Sequence, residues 1–242
     1  MRLDYGEKVT GLDQILRITN VLSDSTRFNI YQYIVKKNDA VSVQDVASVF
    51  DIHPNVARLH LSKLQDVNLV VAYTKKTGRG GRPSKAYRLS DEVIDLHFPH
   101  RDYRMLATIA IDSLSELGEA GAQALYRTGE RYGYDTLNHI RTSKNGEMDI
   151  ELKLLHLRKT AEMIGLYPEF NISDDFKRAT FTINNCPFKE IVKTNSELIC
   201  GMHGHFIKGM FHALFEDIEL KEAHTMMDGC KTCSYKAEFV QV

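Results

Sequence analysis

Residues 75 to 88 carry six basic side chains, Lys75, Lys76, Arg79, Arg82, Lys85 and Arg88, and three glycines in fourteen positions that hold no acid. Gly78, Gly80 and Gly81 do not sustain a helix. What remains is an exposed turn whose backbone can come close to a partner and whose cations can neutralise phosphates. Residues 69–73 and 85–89 read as two strands around the glycine-rich tip, so the segment reads as a β-hairpin, a wing. Its chemistry fits a nucleic-acid backbone better than any other common partner.

The residues before the wing read as helices. Leu12, Ile15, Leu16, Ile18, Thr19 and Leu22 repeat at helical spacing. Ser23, Asp24, Ser25 and Thr26 offer caps for a second helix carrying Phe28, Ile30, Tyr31, Ile34 and Val35. Ser42 precedes a short apolar helix, Val43, Val46, Ala47 and Phe50, with Asp45 three residues on, close to a capping box. A turn at 51–53 leads to Pro54, suited to the first helical position, and then to a helix whose packed side is read as Val56, Leu59, His60, Leu61 and Leu64. Short helix, tight turn and second helix form the helix-turn-helix pattern.

In that pattern the start of the second helix enters the major groove. Its outward residues are read as Asn55, Ala57, Arg58 and Ser62, with Asn suited to adenine and Arg to guanine through two bonds each. Lys63 is expected on phosphate. Arg79 and Arg82 at the tip of the hairpin are the expected minor-groove contacts, and Lys85 completes the DNA-facing set.

Charge divides the chain. Residues 1–90 hold 14 Lys/Arg against 8 Asp/Glu, net +6, whereas the remainder holds 17 against 24, net −7. A basic half joined to an acidic half predicts double-stranded operator DNA as partner for the first and a different task for the second. Neither a secretory apolar segment nor a run long enough to span a bilayer is present, so no membrane partner and a cytoplasmic setting are expected.

The predicted class is α+β, an amino-terminal winged helix-turn-helix domain (1–90), a helical linker or dimerisation region (91–148) and a carboxy-terminal mixed α/β domain (149–242). Tyr103, Leu106, Ile109, Ala110, Leu114 and Leu117 form an apolar helical stripe that serves equally as a homodimer seam or as core. A second segment follows over 120–134, interrupted by glycines. Residues 149–164 predict a further helix, and 167–172 and 179–183 predict strands.

All four cysteines lie in the last quarter: Cys186, Cys200, then Cys230 and Cys233 in a C-x-x-C spacing. Such a pair can grip one metal ion or cluster with little strain, and two distant thiolates can complete a four-sulfur shell. Zinc and iron–sulfur clusters both suit that shell. Buried free thiols and a dithiol switch are the alternatives, and His203, His205 and His212 could add nitrogen ligands. There is no P-loop, dinucleotide fingerprint, nucleophile elbow or zinc-protease motif, so no enzyme activity is expected.

The wing residues 78–84 with Tyr87-Arg88-Leu89-Ser90, and the distal Asn185-Cys186-Pro187, Leu198-Ile199-Cys200, Gly209-Met210-Phe211 and Gly229-Cys230-Lys231-Thr232-Cys233-Ser234-Tyr235, resemble the SufR-type regulators. These are bacterial repressors of the DeoR/ArsR-like winged-helix group. The resemblance implies a sensor domain whose iron–sulfur cluster is held by Cys186, Cys200 and Cys233, with Cys230 as a fourth candidate, and DNA affinity that follows the state of the cluster. The chain departs from the family after the second cysteine, where Met202-His203-Gly204-His205 stands in place of an acidic residue. The distal domain also resembles the vinyl-reductase-like sensor fold, which implies zinc or a small apolar ligand.

Overall fold

The computed structural model describes residues 6–75, 84–92, 94, 101–142, 148–174, 177–192 and 194–239. They form an α+β chain of two compact units, Met1–Arg101 and Asp102–Val242.

The first unit runs α1 (Gly6–Leu22), α2 (Ser25–Lys37), β1 (Val41–Ser42), α3 (Val43–Phe50), α4 (Pro54–Gln65), β2 (Val70–Lys75) and β3 (Ser84–Leu89). Its helices start and stop where local chemistry dictates. The Asp24 carboxylate accepts from the Arg27 amide to open α2, and Asn38, at φ 47°, closes it. At α3 the capping box is complete: the Ser42 hydroxyl accepts from the Asp45 amide, and the Asp45 carboxylate accepts from the Ser42 amide. Asp51, also left-handed, turns the chain into α4.

Strand β3 lies between β1 and β2, antiparallel to both, with Val41 opposite Tyr87 and Tyr73 opposite Ala86. The hairpin read from the sequence is therefore present. Its tip at 76–83, with Arg79 and Arg82, lies outside the described residues. Ile18, Ile30, Ile34, Val46, Leu61, Leu64, Val70 and Tyr87 fill the core, each aliphatic side chain contributing about 1.5–3 kcal/mol by leaving water.

The second unit runs α5 (Tyr103–Glu116), α6 (Glu119–Thr142), α7 (Ile150–Met163), β4 (Pro168–Ile172), β5 (Arg178–Ile183), α8 (Lys189–Val192), α9 (Ser196–His212), β6 (Ile218–His224), a short 3-10 turn (Met226–Asp228) and β7 (Cys233–Phe239). Its antiparallel sheet has the order β4-β5-β7-β6. Alternation puts Ala179, Phe181, Ile183, Cys233, Tyr235, Ala237 and Phe239 on the buried face and Thr180, Thr182, Lys236 and Glu238 on the other. Helix α9 contributes Ile207, Met210 and Phe211 to the same core, the Phe211 ring meeting Phe181 edge-on at 5.5 Å.

Helix α6 is continuous through the glycines expected to interrupt it. Glycine weakens a helix in isolation, but here it lets two backbones touch. A Cβ on Gly133 would run into the carbonyl of Phe206, and one on Gly209 into the carbonyl of Glu130. The unit thus begins with α5 and α6, and α6 lies directly against α9. Helix α5 has no buried residue: Tyr103, Leu106, Ile109 and Leu117 stand 56–65% exposed.

Candidate nucleic-acid interface and thiol-lined pocket

The packed side of α4 is Ala57, His60, Leu61 and Leu64, one strict helical stripe. This shifts the face expected from the sequence. Ala57 is fully buried and cannot read DNA, whereas Val56 and Leu59, expected inside, are 42% and 55% exposed. Counting apolar residues overrated these two, because 57, 60/61 and 64 already satisfy the helical period. Asn55, Arg58 and Lys63 are exposed and Ser62 is half-buried, and Leu59 lies among them. The surface is thus a mixture of amide, guanidinium, hydroxyl and aliphatic groups, the last suited to a thymine methyl.

Pro54 occupies the first turn of α4, and the His53 Nδ1 accepts from the Asn55 amide at 3.2 Å. Arg58 donates to the Asn55 side-chain oxygen at 2.9 Å, so the two expected base readers hold each other in the free protein. Lys85 donates to Gln65 Oε1 at 3.1 Å and lies over the Tyr87 ring at 5.2 Å. That anchors the ascending strand of the wing to the end of α4. The interface is built from a capped helix pair and a strand that share one core.

In the second unit three cysteines from three elements reach one small cavity. The pairing of Ile183 with Cys233 sets the first amino acid of β7 beside the end of β5, and Cys186 follows three residues after Ile183. Cys200 lies on α9, and His203, one turn later, shares its face. Cys186, Cys200, His203, Glu222 and Cys233 line a cavity of about 30 Å³, with Met226 and Tyr235 among the remaining walls. Cys230 is exposed and is not part of that lining.

Burial controls the chemistry of these groups. It pushes the Cys186 thiol up to about 11, with the nearby Cys233 and Cys200 sulfurs adding to the shift and the Phe188 amide opposing it. Cys200 and Cys233 are raised for the same first reason. The Met226 amide donates to Cys233 Sγ at 3.3 Å, a bond that favours the thiolate. Burial holds His203 down at about 4, hence neutral. Glu222 is raised by burial and by Asp228, while a hydrogen bond from Tyr235 works against the rise.

The three histidines noted in the sequence separate. His205 and His212 turn away from the thiols to Glu130 on α6, at 3.1 and 3.3 Å, and the Tyr126 ring stacks on His205. Burial raises the Glu130 carboxyl, but these partners and Lys208 outweigh it and hold the group below its ordinary value. His203 alone faces the cysteines, its Nδ1 3.9 Å from Cys186 Sγ.

The donors fit a soft metal centre: three thiols, a neutral imidazole, an apolar lining and an amide aimed at one sulfur. Among the described residues no three His, Cys, Asp or Glu side chains already stand close enough to share one metal ion. Loading would therefore require the walls of the cavity to move.

Residues 22–71 match the family described as "Helix-turn-helix domain". Comparison with curated proteins gives no match. Among solved structures, the chain is similar to a homodimeric winged helix-turn-helix DNA-binding domain from Mycobacterium bovis, described as a possible ArsR-family transcriptional regulator. The identity is 22% and the TM-score 0.32, over 37% of this chain and 75% of that one. It is also similar to trafficking protein particle complex subunit 3 from Naegleria fowleri, covalently bound to palmitic acid (15% identity, TM-score 0.36, 56% of this chain and 94% of that one). A third is the phenol-responsive sensory domain of the transcription activator PoxR with phenol (16% identity, TM-score 0.43, 75% and 89%). At TM-scores of 0.32 to 0.43 these likenesses assign no role to any residue. No helix among the described residues is long and apolar enough to cross a membrane. The match over residues 22–71 and the capped helix pair, completed by the β2–β3 hairpin, make the amino-terminal unit a DNA-binding winged helix-turn-helix domain of the transcription-regulator type.

Proposed function

We propose that this chain is a cytoplasmic, sequence-specific repressor that binds operator DNA as a homodimer and is controlled by a cysteine-ligated iron–sulfur cluster in its second unit. The observation that carries the reading is the meeting of Cys186, Cys200 and Cys233 at one buried, apolar cavity, although they are distant in sequence and come from a loop, a helix and a strand. The cysteine layout that resembles the SufR-type regulators favours a cluster, and the same thiols suit zinc as the alternative. When bound, such a centre supplies a redox- and oxygen-sensitive link between the three elements.

The chain's own residues supply the rest. The Met226 amide stabilises the Cys233 thiolate, and Cys233 is buried while Cys186 and Cys200 are half-buried. The donors do not yet stand close enough to share one metal ion, so loading would draw the cavity walls together, α9 among them, and α9 touches α6 backbone to backbone at Gly133 and Gly209. Contacts without side chains between them cannot absorb a shift by changing rotamer. The exposed face of α5 is the proposed seam with a second copy: in an antiparallel two-fold pair, Arg104 near its start would approach Glu116 at its end. A change at the cysteines would then alter the spacing of the two α4 helices on the operator.

The test is oxygen-free purification followed by iron and sulfide analysis, an absorption spectrum and operator binding. Cys186→Ser and Cys233→Ser should abolish the cluster and change operator affinity about five-fold or more, while nonspecific DNA binding stays near that of the parent. Variants that lose metal yet bind the operator as the parent does would sink the control mechanism. A colourless zinc protein would sink the cluster and leave zinc.

A further inference from the structure

The geometry points to His203 as the fourth protein ligand of the thiol-lined centre, bound through Nδ1 beside Cys186, so that the donor set is three cysteines and one histidine and Cys230 stays outside it. This deepens the proposed function and rests on its premise that the cysteines hold a metal.

The imidazole is 4% exposed, yet among the described residues its Nε2 has no hydrogen-bond partner. Its Nδ1 has only the sulfur of Cys186, at 3.9 Å. An orphaned nitrogen does not by itself mark a ligand, since the buried His60 has one too at Nδ1, and a metal on His203 Nδ1 would leave its Nε2 unchanged. What sets His203 apart is that its Nδ1 faces a cavity lined by three thiols. The spacing agrees: two ligands on one tetrahedral metal, one sulfur at about 2.3 Å and one nitrogen at about 2.0–2.1 Å, lie roughly 3.6 Å apart. A movement of a few tenths of an ångström would bring the observed pair to that distance.

The remaining observations concern placement. Cys200 and His203, three apart on α9, present both donors from one rigid face, and the Phe188 ring meets the imidazole edge-on at 5.1 Å, which limits its rotation. His205 and His212 are committed to Glu130, and Cys230 is exposed, off the lining that the other three cysteines share.

The test uses the full chain, reduced and free of oxygen, loaded with ferrous iron and sulfide, or with Co2+ where no cluster forms. Affinity and visible spectrum are read for the parent, His203→Ala, His203→Cys and Cys230→Ser, and the nitrogen shifts of histidine are read by NMR in the Co2+- or Zn2+-loaded chain. His203→Ala should lose at least about tenfold in metal affinity, a scale reached even by the outer partners of metal ligands. His203→Cys should recover affinity with an altered spectrum, which a purely structural histidine would not do. Cys230→Ser should match the parent, and Nδ1 of one histidine should shift on loading. If His203→Ala binds as the parent does, or Cys230→Ser takes the loss instead, the inference is wrong while the cysteine centre stands. If neither iron nor Co2+ binds, or Cys186→Ser and Cys233→Ser bind as the parent does, the cysteine centre itself is wrong and the inference falls with it.

Discussion

The two units solve opposite problems with the same local rules. The first places its candidate DNA-reading side chains outside: Asn55, Arg58 and Lys63 are exposed on a helix whose other face is core. The second places its candidate groups inward, with three thiols and an imidazole lining one apolar cavity. An exposed site needs only a well-capped scaffold, because water satisfies its polar groups until a partner arrives. A buried site must hold its groups neutral, and it does: the thiols are raised and His203 is lowered, all chiefly by burial. The difference predicts which unit responds to chemistry and which to sequence.

The largest expected effect breaks the symmetry between the units by acid. His203 is held at about 4 in the folded chain against about 6.5 when unfolded. Its folded value is depressed, so the stability it contributes is fully present above pH 6.5 and is lost as pH falls toward 4. The second unit of the metal-free protein should lose about 3 kcal/mol over that window, whereas His203→Leu should be markedly less sensitive. Urea midpoints against pH, read from near-ultraviolet signals of the second unit, check this. Equal acid sensitivity of parent and variant would remove His203 from the account.

The next effect sharpens the contrast in packing. Gly209→Ala forces a methyl into the backbone of α6 at Glu130, and should destabilise the second unit by about 2–3 kcal/mol while leaving the first unchanged. Two-step thermal unfolding would separate the units. Parent-like stability would mean that α6 and α9 can part without cost, and the proposed route from the cysteines to α5 would lose its rigid link.

The same contrast explains what the sequence revealed. The first unit was legible because its signals are local: Asp24, Ser42 with Asp45, and Pro54 mark helix starts within a few residues, and the basic glycine-rich tip marks the hairpin. What misled there was Val56 and Leu59, apolar residues that the structure leaves outside, since Ala57, His60, Leu61 and Leu64 already complete the packed stripe. The second unit was less legible. Its helix α7 and strands β4 and β5 followed periodicity, but β6, Ile218–His224, is a polar edge strand with little alternation. The continuity of α6 depends on a partner helix 70 or so residues away, which no local pattern encodes. The meeting of Cys186 with Cys233 follows from strand register, Ile183 opposite Cys233, and only the fold reveals that Cys230 is exposed.

A smaller effect tests the outward site directly. Arg58→Ala removes the guanidinium and frees Asn55 from its 2.9 Å partner, so it should relax preference at one base pair of each half-site by about 1–3 kcal/mol. Competition binding over single-base operator variants would show it. A uniform loss across all sequences would make Arg58 a phosphate contact instead.

The smallest effect belongs to a residue that serves two elements. Ser42 is the last residue of β1, opposite Ala86 on the wing strand, and also the cap of α3. Ser42→Ala removes the hydroxyl acceptor of the Asp45 amide and leaves the β1 backbone pairing in place. The expected cost is about 1 kcal/mol, confined to the first unit. Because α3 packs against α4, some of that loss should surface as weaker operator binding, but the β1–β3 ladder keeps the wing strand in register. The proposed phosphate contacts of the basic hairpin are untouched, so nonspecific binding should hardly change. Asp45→Asn deletes a charge from the same box but keeps a side-chain acceptor for the Ser42 amide, so it should cost less than Ser42→Ala. A larger loss for Asp45→Asn would mean that the carboxylate's charge near the start of α3, and not the hydroxyl cap, holds that helix in place.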